Sequence, residues 1–310
     1  MLAIVGASGK LGFATLTALL DSDMLKPEEI VCTTSSDSGS QKLEAARKRG
    51  VQVRRAHWDD QKSFESAFQG CDKLFLISSS RIQKDFGEAP EGKGREADHY
   101  GALEAAEVAG VKHVYYTSLA FAKPSKSRVM KAHERTEDWF KAQSDLKYTV
   151  LREGLYNESW PLYLGHFNFP GDDGTEIPVA GDSKISWTAI PDLGFATAKI
   201  LSAPSDEWAG KTCYLSQSQS HTLKEVAEMV SKARGKETKV KVVDRTEHEK
   251  YYVEQRGIDE AYVKWWSKSF DALRDNECEI KDSTFEDIFA KSGSKPKTME
   301  ATITEMFSKA

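Results

Sequence analysis

Three glycines near the start of the chain are spaced for phosphate binding, in the segment GASGKLG at residues 6–12. An apolar run at residues 2–5 precedes them, and a helical pattern at residues 10–20 follows. A strand, a glycine turn and a helix in this order indicate a dinucleotide-binding unit. Gly6 permits the tight turn, Gly9 lets backbone N–H groups approach a pyrophosphate, and Gly12 lets the helix pack closely. Because a helix N-terminus attracts anions, the predicted phosphate site comprises Gly6, Ser8, Gly9, Lys10, Leu11 and Gly12.

The alternative interpretation of this segment is a glycine-rich turn without a ligand. Three glycines, however, serve no packing purpose that alanine would not serve better, and each costs conformational entropy on folding. The bound dinucleotide is therefore the favoured interpretation.

The end of the second predicted strand bears on the choice between NAD and NADP. NAD binders commonly place Asp or Glu there, about 20 residues past the glycines, to hold the ribose 2′-OH. This chain has TTSS at residues 33–36 instead, and hydroxyls do not repel a 2′-phosphate. Lys10 lies in the glycine loop, although Asp37 follows the strand closely and no Arg occupies the turn. The pattern favours NADP(H) over NAD(H), with Thr34 and Ser35 at the ribose.

Polar residues also follow the third and fourth predicted strands. A carboxylate at Asp59 would accept a hydrogen bond from the adenine amine, but Asp59 or Asp60 would serve equally as a helix N-cap. Ser78, Ser79 and Ser80 end the fourth strand. Because ligands of doubly wound sheets bind at the carboxyl ends of the strands, we predict that these serines contact the cofactor. Both interpretations of Asp59 stay open.

Short apolar runs alternate with longer helical patterns through the first half of the chain. The predicted strands lie at residues 2–5, 30–33, 51–54, 74–78, 113–117 and 148–152, and predicted helices at residues 10–20, 41–49 and 94–109. Continuous apolar strands are typical of a parallel sheet that is buried on both faces. The alternation therefore predicts an α/β fold with a doubly wound parallel (Rossmann) sheet.

The pattern changes after Arg152. Residues 154–185 are rich in aromatic residues, proline and glycine, whereas residues 186–216 predict a helix and a strand that return to the sheet. The chain from His221 onward is mostly helical in pattern. We predict an NAD(P)-binding Rossmann domain of residues 1–153 and 186–216. Residues 154–185 and 217–310 would form a smaller, mostly helical substrate or cap domain.

The composition excludes several classes of protein. A hydrophobic content of 39% suffices for a core, and 43 basic against 48 acidic residues leave none of the basic excess typical of a nucleic-acid binder. No apolar run approaches the about 18 residues of a membrane helix, and the start lacks the basic region of a signal peptide. The four cysteines lie far apart and the histidines show no metal spacing, so no disulfide framework and no metal site are expected. We expect a soluble, cytoplasmic protein that binds neither nucleic acid nor a membrane.

Several stretches resemble the NmrA-like family of atypical short-chain dehydrogenases/reductases. They are the glycine loop, VKHVYYTSLA at residues 111–120, HERTEDWFKAQSDLKYTVLREGLYN at residues 133–157, IPDLG at residues 190–194 and KPKT at residues 295–298. The resemblance implies a Rossmann domain that binds NAD(P)(H) and a small C-terminal domain that covers a cleft. The family includes quinone and dye reductases and also regulators that bind the dinucleotide without known turnover.

One departure from the wider dehydrogenase pattern concerns the catalytic acid. No tyrosine is followed four residues later by lysine, so the Tyr-x-x-x-Lys pair is absent. Where many relatives carry Lys, this chain has His133, which would contact the nicotinamide ribose or donate a proton near neutral pH. Lys131 is a rival for this role, and Ser118 would bond to a substrate oxygen or only cap a turn. A partly exposed His133 at a helix start is the alternative without function.

Aromatic residues between the two predicted domains suggest walls for a small apolar or aromatic substrate. The predicted substrate residues are Tyr156, which would also contact the cofactor, Asn157, Trp160 and Trp187, with Phe167 and Phe169 nearby. Burial in the core between the domains is the alternative for each aromatic residue. We therefore predict an NAD(P)H-dependent reductase that transfers hydride to a quinone-like or other conjugated acceptor. The alternative is an NAD(P)-sensing regulator with a protein partner, and a homo-oligomer stays open.

Overall fold

The computed structural model describes residues 1–168 and 171–309. Its strands are β1 Leu2–Val5, β2 Ile30–Thr34, β3 Gln52–Arg55, β4 Lys73–Leu76, β5 His113–Leu119, β6 Lys147–Glu153, β7 Leu155–Tyr156, β8 Glu176–Val179, β9 Ile185–Thr188, β10 Thr212–Leu215, β11 Ser220–His221 and β12 Lys239–Val242. Its α-helices are α1 Lys10–Asp21, α2 Asp37–Lys42, α3 Glu44–Lys48, α4 Gln61–Ala67, α5 Glu96–Val108, α6 Lys131–Lys141, α7 Trp160–Tyr163, α8 Ile190–Ser202, α9 Ser205–Trp208, α10 Leu223–Arg234, α11 Arg245–Lys250, α12 Glu260–Trp266, α13 Ser269–Arg274, α14 Thr284–Lys291 and α15 Met299–Ser308.

A seven-stranded parallel sheet forms the centre of the molecule. Its strand order is β3-β2-β1-β4-β5-β6-β10, so the chain reverses direction across the sheet between β1 and β4. Every residue of β1 and β2 is buried, as the continuous apolar runs predict. The predicted doubly wound Rossmann sheet is therefore confirmed. A crevice at the carboxyl ends of β1 and β4 is the expected ligand site of such a sheet.

Helices cover both faces of this sheet. On one face α1 and α8 cross closely, and side chains such as Leu16, Leu193 and Phe285 fill the space beneath them. On the other face, α4, α5 and α6 bury residues such as Phe68, Leu103 and Phe140. The sheet thus has an apolar layer on each side, and only its strand ends are available for polar chemistry.

The predicted helix at residues 41–49 is two short helices in the structure, and the first of them begins earlier. The Ser36 hydroxyl accepts a hydrogen bond from the backbone N–H of Gly39, which caps the N-terminus of α2. The chain then bends at Leu43 before α3. The apolar periodicity could not reveal this early start, because it is set by a polar cap.

The rest of the chain packs around a second, aromatic core. The strands β7, β9 and β11 form a three-stranded sheet, and β8 pairs with β12, a strand within the predicted helical region. Helices α10–α13 and α15 complete this part of the molecule, whereas α14 packs on α8 and β10 of the large sheet layer. The division into two domains stays a prediction: α8 and β10 join the large sheet layer, whereas β9 pairs with β7 outside it. No helix among the described residues is long and apolar enough to cross a membrane.

The close crossing of α1 and α8 depends on a residue without a side chain. A Cβ added at Gly194 would lie 2.6 Å from the backbone carbonyl carbon of Ala14. We predict that Gly194→Ala lowers the free energy of unfolding by about 1–3 kcal/mol, because the helices must move apart. Urea denaturation of the variant and the wild type measures this difference.

The matched control for this variant is Gly101→Ala on α5. A Cβ at Gly101 meets nothing within 4 Å, so this change should stabilise the protein by up to about 1 kcal/mol through helix propensity. Equal stabilities of the two variants would contradict the crossing as described.

Candidate functional site

Two cavities lie side by side along the carboxyl ends of the sheet strands. The glycine-loop cavity, of about 260 Å³, is lined by Val5, Gly6, Ser8, Gly9, Thr33, Thr34, Ser35, Ser36, Ala56, Trp58, Phe64, Ile77, Ser78 and Ser80. The β5–β6 cavity, of about 280 Å³, is lined by Leu11, Ile77, Ser78, Ser79, Ser80, Arg95, Thr117, Ser118, Leu119, His133, Glu153, Gly154, Leu155, Tyr156 and Ser159. Both cavities share Ile77, Ser78 and Ser80, so they form one cleft across the carboxyl ends of β1, β2, β4, β5 and β6.

The glycine loop has the geometry that its spacing predicts. Gly6 has a φ of +82°, a conformation that L side chains rarely adopt. A Cβ at Gly12 would lie 2.3 Å from the Gly6 carbonyl oxygen, so α1 begins directly against the loop. No side chain caps α1 at Gly9, which leaves the first-turn N–H groups available for an anion. Lys10 begins this helix with an exposed side chain.

Three hydroxyls meet at the end of β2, beside the glycine loop. A Cβ placed at Gly39 would lie within 3.1 Å of the side-chain oxygens of Ser8, Thr34 and Ser36. Lys42 reaches the same place from α2 and donates a 2.8 Å hydrogen bond to the Ser8 carbonyl. The sequence interpretation did not include Lys42. Its position eight residues after the strand becomes meaningful only once α2 folds back toward the loop.

Asp59 does not line the glycine-loop cavity, and its predicted adenine contact stays a prediction. Its carboxylate is exposed and pairs with the Arg81 guanidinium at 2.6 Å. The hydrogen bond from Arg81 lowers the pKa of Asp59 below its ordinary value. Asp60 supplies the N-cap of α4 by accepting from the N–H of Ser63. The neighbouring Trp58 lines the glycine-loop cavity instead, with its ring 5.2 Å from that of Phe64. The half-exposed indole of Trp58, backed by the buried Phe64, offers an apolar surface for a base.

The serines after β4 hold fixed positions at the junction of the two cavities. The N–H of Ser78 donates to the Thr117 hydroxyl at 2.9 Å, and that of Ser79 donates to His99 Nε2 at 3.0 Å. The Ser79 hydroxyl donates its proton to the Asp98 carboxylate, so it cannot donate to a ligand. Ser80 is exposed on the cleft. The Ser78 hydroxyl lies 3.2 Å from His99 Nε2, so Ser80 is the serine best placed for contact with a ligand.

His133 lines the β5–β6 cavity but is buried rather than partly exposed. Its Nδ1 lies 3.1 Å from the Tyr116 hydroxyl. Burial, with the nearby Arg95 cation, holds the pKa of His133 well below 6.5. The imidazole is therefore neutral at physiological pH, which favours the predicted contact with the nicotinamide ribose over proton donation; both roles stay predictions. Among the described residues, no three His, Cys, Asp or Glu side chains could hold a metal ion.

Ser118 lines the same cavity, but its proton points away from it. The hydroxyl donates to Glu137 Oε1 at 2.7 Å, and Glu137 forms a buried ion pair with Arg152 at 2.7 Å. Arg152 is held in turn by the Tyr214 hydroxyl. The predicted hydrogen bond from Ser118 to a substrate oxygen is therefore wrong in direction, because this hydroxyl can only accept a further bond.

Four other predicted site residues lie outside the cleft. Lys131 is exposed on the outer side of α6 and pairs with Glu134, so it is not a rival of His133. Asn157 is fully buried and donates to the Thr302 hydroxyl on α15. The predicted substrate walls Trp160 and Trp187 are buried in the aromatic core, as is Phe167. Phe169 lies outside the described residues.

Tyr156 and Glu153 form the wall of the β5–β6 cavity opposite His133. Tyr156 is half-buried there, as its predicted role requires. Glu153, at the last position of β6, was not predicted. Its carboxyl is buried, and burial raises the pKa of Glu153 to about 8. An acidic residue directly after the predicted strand at residues 148–152, at the carboxyl edge of the sheet, was the signal that could have identified it.

Comparisons with known proteins agree with this architecture. The model of the NmrA-like family matches residues 1–301. Quinone oxidoreductase 2 of Escherichia coli is 33% identical over 237 residues, which cover 76% of each protein. The crystal structure of the NADPH-dependent quinone oxidoreductase of E. coli with NADPH superposes with a TM-score of 0.82, at 26% identity and over 99% of this chain and 100% of that chain. The Citrobacter triphenylmethane reductase complexed with NADP(H) has the same fold, with a TM-score of 0.81, 22% identity and coverage of 99% and 100%. The chain therefore belongs to the NmrA-like family.

Proposed function

We propose that the protein is an NADPH-dependent reductase that transfers hydride to a quinone-like or other conjugated acceptor. The observation that carries this proposal is the continuous cleft, in which an uncapped helix N-terminus opens into one cavity and a second cavity adjoins it across Ser78. A dinucleotide has the length and the charge distribution to occupy both. The two E. coli and Citrobacter reductases support the choice of NADP(H).

Each part of the glycine-loop cavity suits one part of that cofactor. The first turn of α1 would bind the pyrophosphate through backbone N–H groups. Trp58 would stack on the adenine. Lys42 and the hydroxyls of Ser8 and Thr34 would bind the 2′-phosphate, because a cation among hydroxyls favours a dianion. The nicotinamide, which supplies the hydride, would then lie in the β5–β6 cavity beside Tyr156.

The β5–β6 cavity also suits a flat acceptor. Leu119, Leu155 and Tyr156 give it apolar walls, and its volume of about 280 Å³ limits the substrate to a small molecule. Reduction of a conjugated acceptor depends mainly on holding it against the nicotinamide. Reduction of an isolated carbonyl depends more on a dedicated acid pair, and the Tyr-x-x-x-Lys pair is absent from this sequence.

The test of the proposal is titration with the four nicotinamide nucleotides, followed by NADPH oxidation with quinones, enals and dyes. We expect NADPH to bind most tightly and quinones to be reduced. Tight binding without turnover of any acceptor would favour the dinucleotide-sensing regulator. Failure of all four nucleotides to bind would refute the proposal.

Gly9→Val should raise the Kd for NADPH by at least about 100-fold. The valine side chain would occupy the space beside the uncapped helix start, where the pyrophosphate would bind. Gly9 has a φ of −72°, which valine tolerates, so the variant should fold. Gly101→Val, in open space on α5, is the matched control. Isothermal titration calorimetry measures both, and an unchanged Kd for Gly9→Val would contradict the phosphate site.

Lys42→Ala should weaken the binding of NADPH about tenfold or more and leave the binding of NADH unchanged. Only NADPH carries the 2′-phosphate that the Lys42 ammonium would bind. Lys48→Ala is the control, since Lys48 is exposed on the next helix, α3. The ratio of the two dissociation constants is the measurement. An equal loss for both nucleotides would remove Lys42 from the 2′-phosphate site.

A further inference from the structure

Glu153 is a buried acidic group that the cofactor site does not need. It ends β6 with 1% of its surface exposed and lines the β5–β6 cavity. One carboxyl oxygen, Oε1, accepts a 3.1 Å hydrogen bond from the Thr197 hydroxyl on α8. The other oxygen, Oε2, is buried and has no partner in the part of the chain that the structure describes. A native protein rarely leaves such an atom unpaired without a functional reason.

Within residues 1–168 and 171–309, no cation pairs with this carboxyl. The titratable groups on its side of the cavity are Tyr156 on β7 and, beyond it, Glu158; α1 contributes Leu11 and α8 contributes Thr197. From β10, the adjoining residues are Leu215 and Ser216, neither of which titrates.

The opposite wall of the cavity offers no free charge either. Arg95 lies there with its charge paired to Asp85, and the His133 imidazole is neutral. Burial without a counter-charge raises the pKa of Glu153 to about 8, so the carboxyl carries a proton at neutral pH.

We propose that Glu153 is the acid that protonates the reduced acceptor, a role that rests on the proposed reductase function. The other candidates in the cavity are unsuitable. His133 is neutral, because burial and the Arg95 cation hold its pKa well below 6.5, so it carries no acidic imidazolium proton. The proton of Ser118 is donated to Glu137. Tyr156 is a far weaker acid, since burial raises its pKa above the ordinary value of 10.

The step balances as follows for a quinone or an enone. The acceptor gains one hydride, with two electrons, at a ring or β carbon, and its π electrons move to the carbonyl oxygen. The O–H bond of the Glu153 carboxyl breaks, and its proton forms the new O–H bond of the product. The Glu153 carboxylate that remains is reprotonated from solvent before the next turnover. NADPH supplies the hydride and is the only reductant required.

The test compares wild type with Glu153→Gln, which keeps the shape and the acceptor for Thr197 but has no acidic proton. For a quinone, wild-type kcat should fall as the pH rises through about 8, because the carboxylate has no proton to donate. The variant should be about 100-fold slower and lack this pH dependence, with a Kd for NADPH within about threefold of wild type. Glu158→Gln is the matched control, because Glu158 is a half-buried glutamate five residues later, and its carboxylate accepts a hydrogen bond from the N–H of Ile190. Its profile should match that of wild type.

A cationic triarylmethane dye separates proton donation from hydride transfer. Such a dye becomes neutral when it accepts hydride and requires no proton. Glu153→Gln should therefore slow quinone reduction far more than dye reduction. An equal loss for both acceptors would mean that Glu153 positions the nicotinamide, which would overturn its role as an acid.

The protonation state is measured without turnover by infrared difference spectroscopy of the ligand-free protein. Wild type should lose a protonated-carboxyl band with a midpoint near pH 8, and Glu153→Gln should lack that band. Between pH 4.5 and about 8 the unfolded chain releases this proton while the folded chain keeps it. The stability of wild type should therefore fall with rising pH relative to that of Glu153→Gln.

The outcomes distinguish the two proposals. If wild type reduces no acceptor, the proposed function and the role of Glu153 both fail. If wild type is active and Glu153→Gln retains its rate and pH profile, only the role of Glu153 fails. Absence of the infrared band from wild type would equally overturn it, because an ionised carboxyl cannot be the acid.

Discussion

The arrangement of the cleft depends on the direct contact between the start of α1 and the glycine loop. Any side chain at Gly12 would strike the Gly6 carbonyl and Ile77, so the helix axis is fixed close to β1 and β4. Its uncapped N-terminus consequently points at the place where the sheet reverses its strand order. Ile77, which Gly12 touches on one side, lines both cavities on the other. Packing of the fold and formation of the cleft are therefore consequences of one contact.

Most polar groups around the β5–β6 cavity form hydrogen bonds with each other. Tyr116, His99 and His133 form a buried network behind β5, and Glu137 joins Ser118 to Arg152. Such satisfied networks stabilise a rigid site, but they leave few protons for chemistry. Glu153 differs because its environment supplies one hydroxyl and no positive charge. The same burial that makes its ionisation unfavourable makes it an acid suited to neutral pH.

The features that sequence predicted best are those with local causes. Continuous apolar runs gave the parallel sheet, and glycine spacing gave the loop against α1. Features that depend on residues distant in sequence were not predicted. Arg81 binds Asp59 across 22 residues, and Lys42 bonds to Ser8 across 34 residues. Residue type alone could not distinguish a cleft wall from a core, and Trp160 and Trp187 proved to be core. Glu153 lies in the stretch at residues 133–157 that carries the family resemblance, but its burial against Thr197 of α8, 44 residues away, is not visible in the sequence.

A crystal structure of the protein with bound NADP⁺ tests the central claim most directly. We expect the pyrophosphate on the first turn of α1, the 2′-phosphate within hydrogen-bond distance of Lys42, and the nicotinamide in the β5–β6 cavity between Glu153 and His133. A dinucleotide that leaves the β5–β6 cavity empty, or that binds away from the glycine loop, would contradict it.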